Sequence, residues 1–127
     1  MKYLAIDYGA KYIGIAVSNE EGTIAFPRTV FPNDAKILES ITSLVREERI
    51  EAIVIGDTRA FSGAENPITP ESESFARALS QKTNIQVQPA LEAWSSFEAA
   101  RFAPEGKKDN AAEAAVILQR FLDMRKS

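Results

Sequence analysis

The chain has 127 residues, a length typical of one domain, and 45% of them are hydrophobic, which is ordinary for a chain that buries a core. It contains no cysteine and no histidine, which excludes disulfides, thiolate nucleophiles, histidine-based catalytic triads and metal sites built on either residue. The formal net charge of −3 argues against a broad basic surface, although it leaves room for a small phosphate site.

Catalysis by such a chain must use carboxylates, hydroxyls, lysines or a hard cation held by oxygen ligands. No apolar run approaches the ~20 residues of a membrane span, and a strand is predicted from residue 2 onwards. We therefore expect no membrane partner and a cytoplasmic location. No repeat or linker interrupts the sequence, so residues 1–127 are predicted to form a single domain.

The first two predicted strands, residues 2–6 and 13–18, flank a tight turn. Asp7 closes the first of them. An ionised carboxylate at the end of a buried strand is costly unless it is paired, and a bound cation is the usual way to keep it charged. The alternative is that Asp7 forms the turn by accepting backbone N–H bonds.

The later elements follow from apolar spacing, proline and caps. They are a strand over 23–31 with Pro27 at an edge or bulge, a helix capped by Asn33, a strand over 50–55, a long loop over 57–69, a helix from Pro70, a strand over 85–88, a helix capped at Ser95 and a helix over 110–124. The order β-β-β-α-β-α-β-α-α predicts an α/β domain. Its mixed five-stranded sheet combines a three-strand antiparallel meander with parallel crossovers, flanked by helices.

Four acidic residues stand after predicted strands or in the first turn of the last helix: Asp7, Asp57, Glu92 and Glu113. Ligands of such sheets bind beyond the carboxyl ends of the strands. Two-metal phosphoryl transfer needs oxygen ligands around cations ~3.5–4 Å apart and requires no histidine. Scattered acids alone are a weak signal, because a chain with 18 acidic residues places several of them near loops.

Residues 6–18, Ile-Asp-Tyr-Gly-Ala-Lys-Tyr-Ile-Gly-Ile-Ala-Val-Ser, resemble the opening of the YqgF/RuvX family of RNase H-fold nucleases. That family carries Asp-x-Gly-x-Lys-Arg-Ile-Gly-x-Ala there. Residues 53–56 resemble its middle and residues 114–123 its closing helix. The resemblance implies an RNase H-like fold and a Mg²⁺- or Mn²⁺-dependent endonuclease that acts on structured RNA or branched DNA. The reaction would be 5′-end processing of pre-16S rRNA or Holliday-junction-like resolution, by a monomer or a homodimer.

The same resemblance places catalytic metal ligands at Asp7 and Glu92 and aligns the family's last Asp with Asn110. The family stretch Asp-Glu-Arg-Leu-Thr-Thr reads Leu-Glu-Ala-Trp-Ser-Ser over residues 91–96, without the Asp and Arg that flank the Glu. Because an amide brings no charge, Asn110 would bind Mg²⁺ more weakly. Glu113 shares a helix face with Asn110 and would complete the site. The alternative is that Asn110 is a helix N-cap and Glu113 a favourable charge near the positive helix end.

The cations that would contact phosphate are Lys11, Arg59, Lys107 and Lys108. The alternative is that these side chains are simply solvated. Two other functions stay open. The altered motif and Asn110 favour a degenerate RNase H-fold module that binds RNA or a protein partner without cleavage. An ATPase related to actin or sugar kinases also carries Asp-x-Gly between two strands, but such proteins need a second large lobe.

Overall fold

The computed structural model describes residues 1–56, 70–90 and 110–125, which form a sheet with helices packed on its two faces. In chain order, the elements are β1 (Tyr3–Asp7), β2 (Tyr12–Ser18), β3 (Ala25–Pro32), α1 (Ile37–Glu48), β4 (Ala52–Gly56), α2 (Pro70–Thr83), β5 (Val87–Pro89) and α3 (Asn110–Arg125). None of the helices in these ranges is long and apolar enough to cross a membrane.

The five strands lie in the order β3-β2-β1-β4-β5. The first three form the predicted antiparallel meander, and β1, β4 and β5 run parallel, which confirms the mixed sheet. The carboxyl ends of the three parallel strands meet at one edge, where Asp7 pairs with Gly56. The N–H of Ala90, just past β5, donates to the carbonyl of Ile55 at 2.9 Å. This is the edge at which sheets of this type bind ligands.

Alternate residues of the strands point to opposite faces of the sheet. Leu4 and Ile6 of β1 pack with apolar side chains of α1 and α2, including Phe75, Ala76 and Leu79 as predicted. We call the other face the α3 face; it consists of Tyr3, Ala5, Ala16, Ala52 and Val54, which pack with Ala114, Ile117, Leu118, Phe121 and Leu122 of α3. The small alanines on this face let α3 approach the sheet closely.

The edge strand β3 confirms the interpretation of Pro27. In the register with β2, Thr29 pairs with Ile15 but Pro27 pairs with Ala16, so Arg28 is an extra residue and forms a bulge. Proline cannot donate to a ladder and is therefore confined to such positions.

The predicted cap of α1 is wrong. The helix begins only at Ile37 and has no side-chain cap. Because β3 extends to Pro32, Asn33 lies beside the β1–β2 turn. Its Nδ2 donates to the carbonyl of Gly9 at 2.9 Å, and its N–H donates to the carbonyl of Lys11 at 2.9 Å. Asn33 therefore holds the turn that follows Asp7.

A cluster of charges stabilises the amino end of β1. Glu48 accepts hydrogen bonds from Lys2 and from Arg28, each at 2.8 Å. The bond from Lys2, and then that from Arg28, lowers the pKa of Glu48 below its ordinary value of 4.5. A carboxylate whose pKa is lower in the folded state stabilises the protein above its unfolded pKa and loses this effect as the pH falls through the folded pKa.

Glu48→Gln is therefore expected to lower the free energy of unfolding by about 1 kcal/mol at pH 7, since the pair is near the surface. The difference from wild type should shrink as the pH falls below 4.5. Urea unfolding of both proteins between pH 7 and pH 3 measures this difference. A deficit that stays constant with pH would contradict the assignment of the stabilisation to the charged form of Glu48.

Candidate active site

The carboxylate of Asp7 lies on the α3 face at the carboxyl end of β1. Tyr3 and Ala5 pack under α3, and alternation along the strand places Asp7 on the same side, where it is only 2% exposed. Its neighbours across the sheet are Gly14 on β2 and Gly56 on β4. Since neither neighbour has a Cβ, no side chain from the adjacent strand positions crowds this carboxylate.

Gly14 is the point at which α3 contacts the sheet. A Cβ at this position would overlap the backbone carbonyl of Asn110 and would lie 2.8 Å from the Asn110 Cβ. Only glycine therefore lets α3 begin directly against β2. Because Gly14 pairs with Asp7, the first turn of α3 lies beside the Asp7 carboxylate.

The first turn of α3 brings Asn110 and Glu113 to this place. Residues three apart share a helix face, and Ala114 and Ile117 on the same side are buried against the sheet. Glu113 is 8% exposed, although glutamate is seldom buried without a partner or a metal. The first turn of α3, with Asn110 and Glu113, thus stands against the strand residue that pairs with Asp7.

Three side-chain oxygens are buried without a hydrogen bond in the described residues, and all three belong to this site: Asp7 Oδ1, Asn110 Oδ1 and Glu113 Oε1. Asp7 and Glu113 also make other interactions, so the observation concerns one oxygen atom of each carboxylate. By contrast, the hydroxyls of the buried Ser18 and Thr42 donate to backbone carbonyls at 2.8 and 2.6 Å. Buried polar atoms nearly always have partners, and an exception calls for an ion, a water or a catalytic role.

The cap interpretation of Asn110 is not supported. An N-cap oxygen accepts a hydrogen bond from an N–H two or three residues later, and Asn110 Oδ1 accepts none. Glu113 does lie in the first turn of α3, where a negative charge is favourable near the positive end of the helix. This position is compatible with a role as a ligand.

The chemistry of these three side chains fits a hard divalent cation. Two carboxylates and one amide carbonyl are oxygen donors of the kind that Mg²⁺ and Mn²⁺ take. Across residues 1–56, 70–90 and 110–125, no group of three or more His, Cys, Asp or Glu residues is placed to hold a metal. The third predicted carboxylate, Glu92, lies outside the described residues, as does Asp57.

Of the predicted phosphate contacts, Lys11 is exposed in the turn that follows Asp7. Arg59, Lys107 and Lys108 lie outside the described residues. The part of the site that sequence reasoning missed is the contact between Gly14 and α3. The sequence signal of this contact was Gly14 itself. It alternates along β2 with Tyr12 and Ala16 and therefore lies on the α3 face with the other small residues.

Comparison with known proteins identifies the family of this chain. The profile of the RuvX family, described as Holliday junction resolvase, matches residues 1–124. A protein of Nitratidesulfovibrio vulgaris named "Putative pre-16S rRNA nuclease" is 34% identical over all of this chain and 96% of its own length. A protein of the same name from Lawsonia intracellularis is 36% identical with the same coverage.

The fold matches that of a solved structure, Thermus thermophilus RuvC in complex with a Holliday junction substrate, with a TM-score of 0.60. The match covers all of this chain and 96% of the other at 14% identity, so it supports the RNase H-like fold alone. The family profile and the relatives agree over essentially the whole length, and the chain therefore belongs to the RuvX family.

Proposed function

We propose that this chain is a divalent-metal-dependent endonuclease that cuts structured nucleic acid, and that its principal substrate is the 5′ region of precursor 16S rRNA. The carrying observation is that Asn110, whose buried Oδ1 has no hydrogen bond, begins the helix that contacts Gly14, the strand partner of the buried Asp7, with the buried Glu113 one turn further along. The names of the full-length relatives support the RNA substrate. A precursor rRNA substrate would place the protein in the cytoplasm.

A second candidate substrate is a four-way DNA junction, because the family is described as Holliday junction resolvase. Symmetric cuts in a junction would require two copies of the site and hence a homodimer, whereas one RNA end needs only a monomer. Light scattering of the purified protein during size-exclusion chromatography separates these two states.

The roles of the side chains follow from their chemistry. Asp7 and Glu113 would hold Mg²⁺ or Mn²⁺ with their negative charge, Asn110 would add a neutral carbonyl ligand, and Glu92 is the proposed further carboxylate. Cations bound there would polarise the phosphate and lower the pKa of the attacking water. Lys11 would hold a phosphate oxygen from the turn beside Asp7.

The alternative of a degenerate, non-cleaving module is not favoured by the described site. Asn110 has a buried side-chain oxygen without a hydrogen bond, which would serve as a neutral ligand. Glu113, buried one turn further along α3, supplies a second negative charge. The loss of one aspartate therefore does not empty the site of acidic ligands.

The test is a cleavage assay with the wild-type protein in Mn²⁺, in Mg²⁺ and in EDTA. The substrates are a 5′-labelled precursor 16S rRNA fragment and a four-way DNA junction, with the Asp7→Asn protein purified in parallel to detect contaminating nucleases. We expect metal-dependent cuts in the RNA fragment. Cuts in the junction alone would favour the second substrate, and no cleavage of either would overturn the proposal.

Asn110→Asp is expected to tighten Mg²⁺ binding at least about tenfold, because one added charge at ~4 Å contributes a few kcal/mol at an effective dielectric constant of 20. Without metal, the extra carboxylate should lower the melting temperature by repelling Asp7 and Glu113. Thermal unfolding over a Mg²⁺ titration measures both effects. Asn84→Asp adds the same charge at an exposed left-handed residue after α2 and is the control. Equal metal dependence in the two variants would place Asn110 outside the metal site.

A further inference from the structure

We propose that Tyr12 forms a stacking platform for an unpaired nucleobase next to the phosphate that is cut. This inference rests on the proposed nuclease function and specifies its substrate as single-stranded at the point of cleavage. Tyr12 is the first residue of β2 and is 55% exposed. It is not a member of either hydrophobic core cluster in the described residues, so core packing does not explain the ring.

The position of Tyr12 places it beside the metal ligands. Alternation along β2 puts Tyr12 on the same face as Gly14 and Ala16, which is the α3 face that carries Asp7. Tyr12 is two residues along β2 from Gly14, and Gly14 pairs with Asp7. Strand geometry therefore separates the Cα atoms of Tyr12 and Asp7 by about 8 Å, a distance that a nucleotide can span.

The surroundings of Tyr12 suit a nucleotide. Val30, which is 40% exposed, and Pro32 pair with Gly14 and Tyr12, so they extend an apolar surface on the same face. Lys11, the preceding residue, is exposed and carries a positive charge. An aromatic ring next to a cation matches a base attached to its phosphate, and proteins use this combination to bind single strands.

The platform is held in place before any ligand binds. Asn33 donates from its side chain to the carbonyl of Gly9 and from its backbone to the carbonyl of Lys11, each at 2.9 Å. The backbone of Gly9 also packs so closely on the carbonyl of Tyr12 that a Cβ would overlap it. Because the backbone that carries the ring is already fixed, less entropy is lost on binding.

The test measures binding of a fluorescent single-stranded oligoribonucleotide by anisotropy in EDTA, so that cleavage plays no part. Tyr12→Ala is expected to weaken binding about 5- to 150-fold, the loss typical of one stacked base, while Tyr12→Phe keeps wild-type affinity. The dependence of affinity on salt should not change in Tyr12→Ala, because stacking releases no counterions. In Lys11→Ala the salt slope should fall by about 0.7, as for one lost phosphate contact to a single strand.

Phe26→Ala is the matched control, because this ring is also 49% exposed but pairs with Val17 and lies on the opposite face of the sheet. It should bind the oligonucleotide like wild type. The proposal is overturned if Tyr12→Ala binds like wild type, if Phe26→Ala loses as much affinity, or if the wild-type protein does not bind the oligonucleotide. Cleavage that survives in Asp7→Asn would instead refute the nuclease site and would leave these binding results unchanged.

Discussion

Asp7→Asn is expected to reduce the rate of cleavage by about a thousandfold or more in saturating Mn²⁺. The substitution preserves the shape of the side chain but removes one of two acidic charges that the described site contributes. Metal ligation supplies several kcal/mol of transition-state stabilisation, and each 1.36 kcal/mol corresponds to a factor of ten in rate. Single-turnover cleavage of the precursor RNA fragment measures the loss.

The loss of activity should not come from unfolding. In EDTA, we expect the free energy of unfolding of Asp7→Asn to stay within about 1 kcal/mol of wild type, since the buried side chain keeps its size and the loss of its charge relieves repulsion from Glu113. Asp34→Asn is the matched control, because it makes the same change at an exposed residue just before α1 and should cut at the wild-type rate. An Asp7→Asn rate above a tenth of the wild-type rate would remove Asp7 from the catalytic ligands.

Gly14→Ala is expected to lower the free energy of unfolding by about 3 kcal/mol or more, at the upper end of what overpacking costs. The added methyl group would overlap the carbonyl carbon and oxygen of Asn110, which are backbone atoms that cannot rotate away. The first turn of α3 must then move off the sheet, and it takes Asn110 and Glu113 away from Asp7. Urea unfolding measures the loss of stability, and the Mg²⁺-dependent rise in melting temperature should disappear with it.

Asn110→Ala separates the backbone contact from the side chain. It keeps the carbonyl that faces Gly14 and removes only the amide, so its free energy of unfolding should stay within about 1 kcal/mol of wild type. If Gly14→Ala is as stable as wild type, then α3 does not depend on the glycine, and the account of how the site is assembled fails.

The sheet was predictable because its signals are local. Apolar runs, Pro27 and the order of the elements led to the observed meander and parallel strands, with strand ends displaced by one or two residues. Asp7 was a candidate for the same reason, since a carboxylate that ends an apolar strand stands out in the sequence.

The interpretations that failed concern contacts between distant segments. Asn33 has the composition of a helix cap, but the length of β3 places it at the β1–β2 turn, where two carbonyls need donors. Asn110 likewise resembles a cap, but its Oδ1 accepts no hydrogen bond, and its backbone contacts Gly14, the strand partner of Asp7. Registers between strands and helices are tertiary properties, which no local pattern contains.

The chain order of the site has a consequence for when activity can appear. Asp7 lies on the first strand, whereas Asn110 and Glu113 lie on the last element of the described fold. Domains emerge from the ribosome amino end first, and contacts between distant segments form late. Under the proposed assignment of Asn110 and Glu113 as metal ligands, a nascent chain that has formed only its sheet would lack part of the site and would not cleave RNA, including the RNA of the ribosome that is making it. Only the docking of α3 onto Gly14 would switch the nuclease on, after synthesis of that helix.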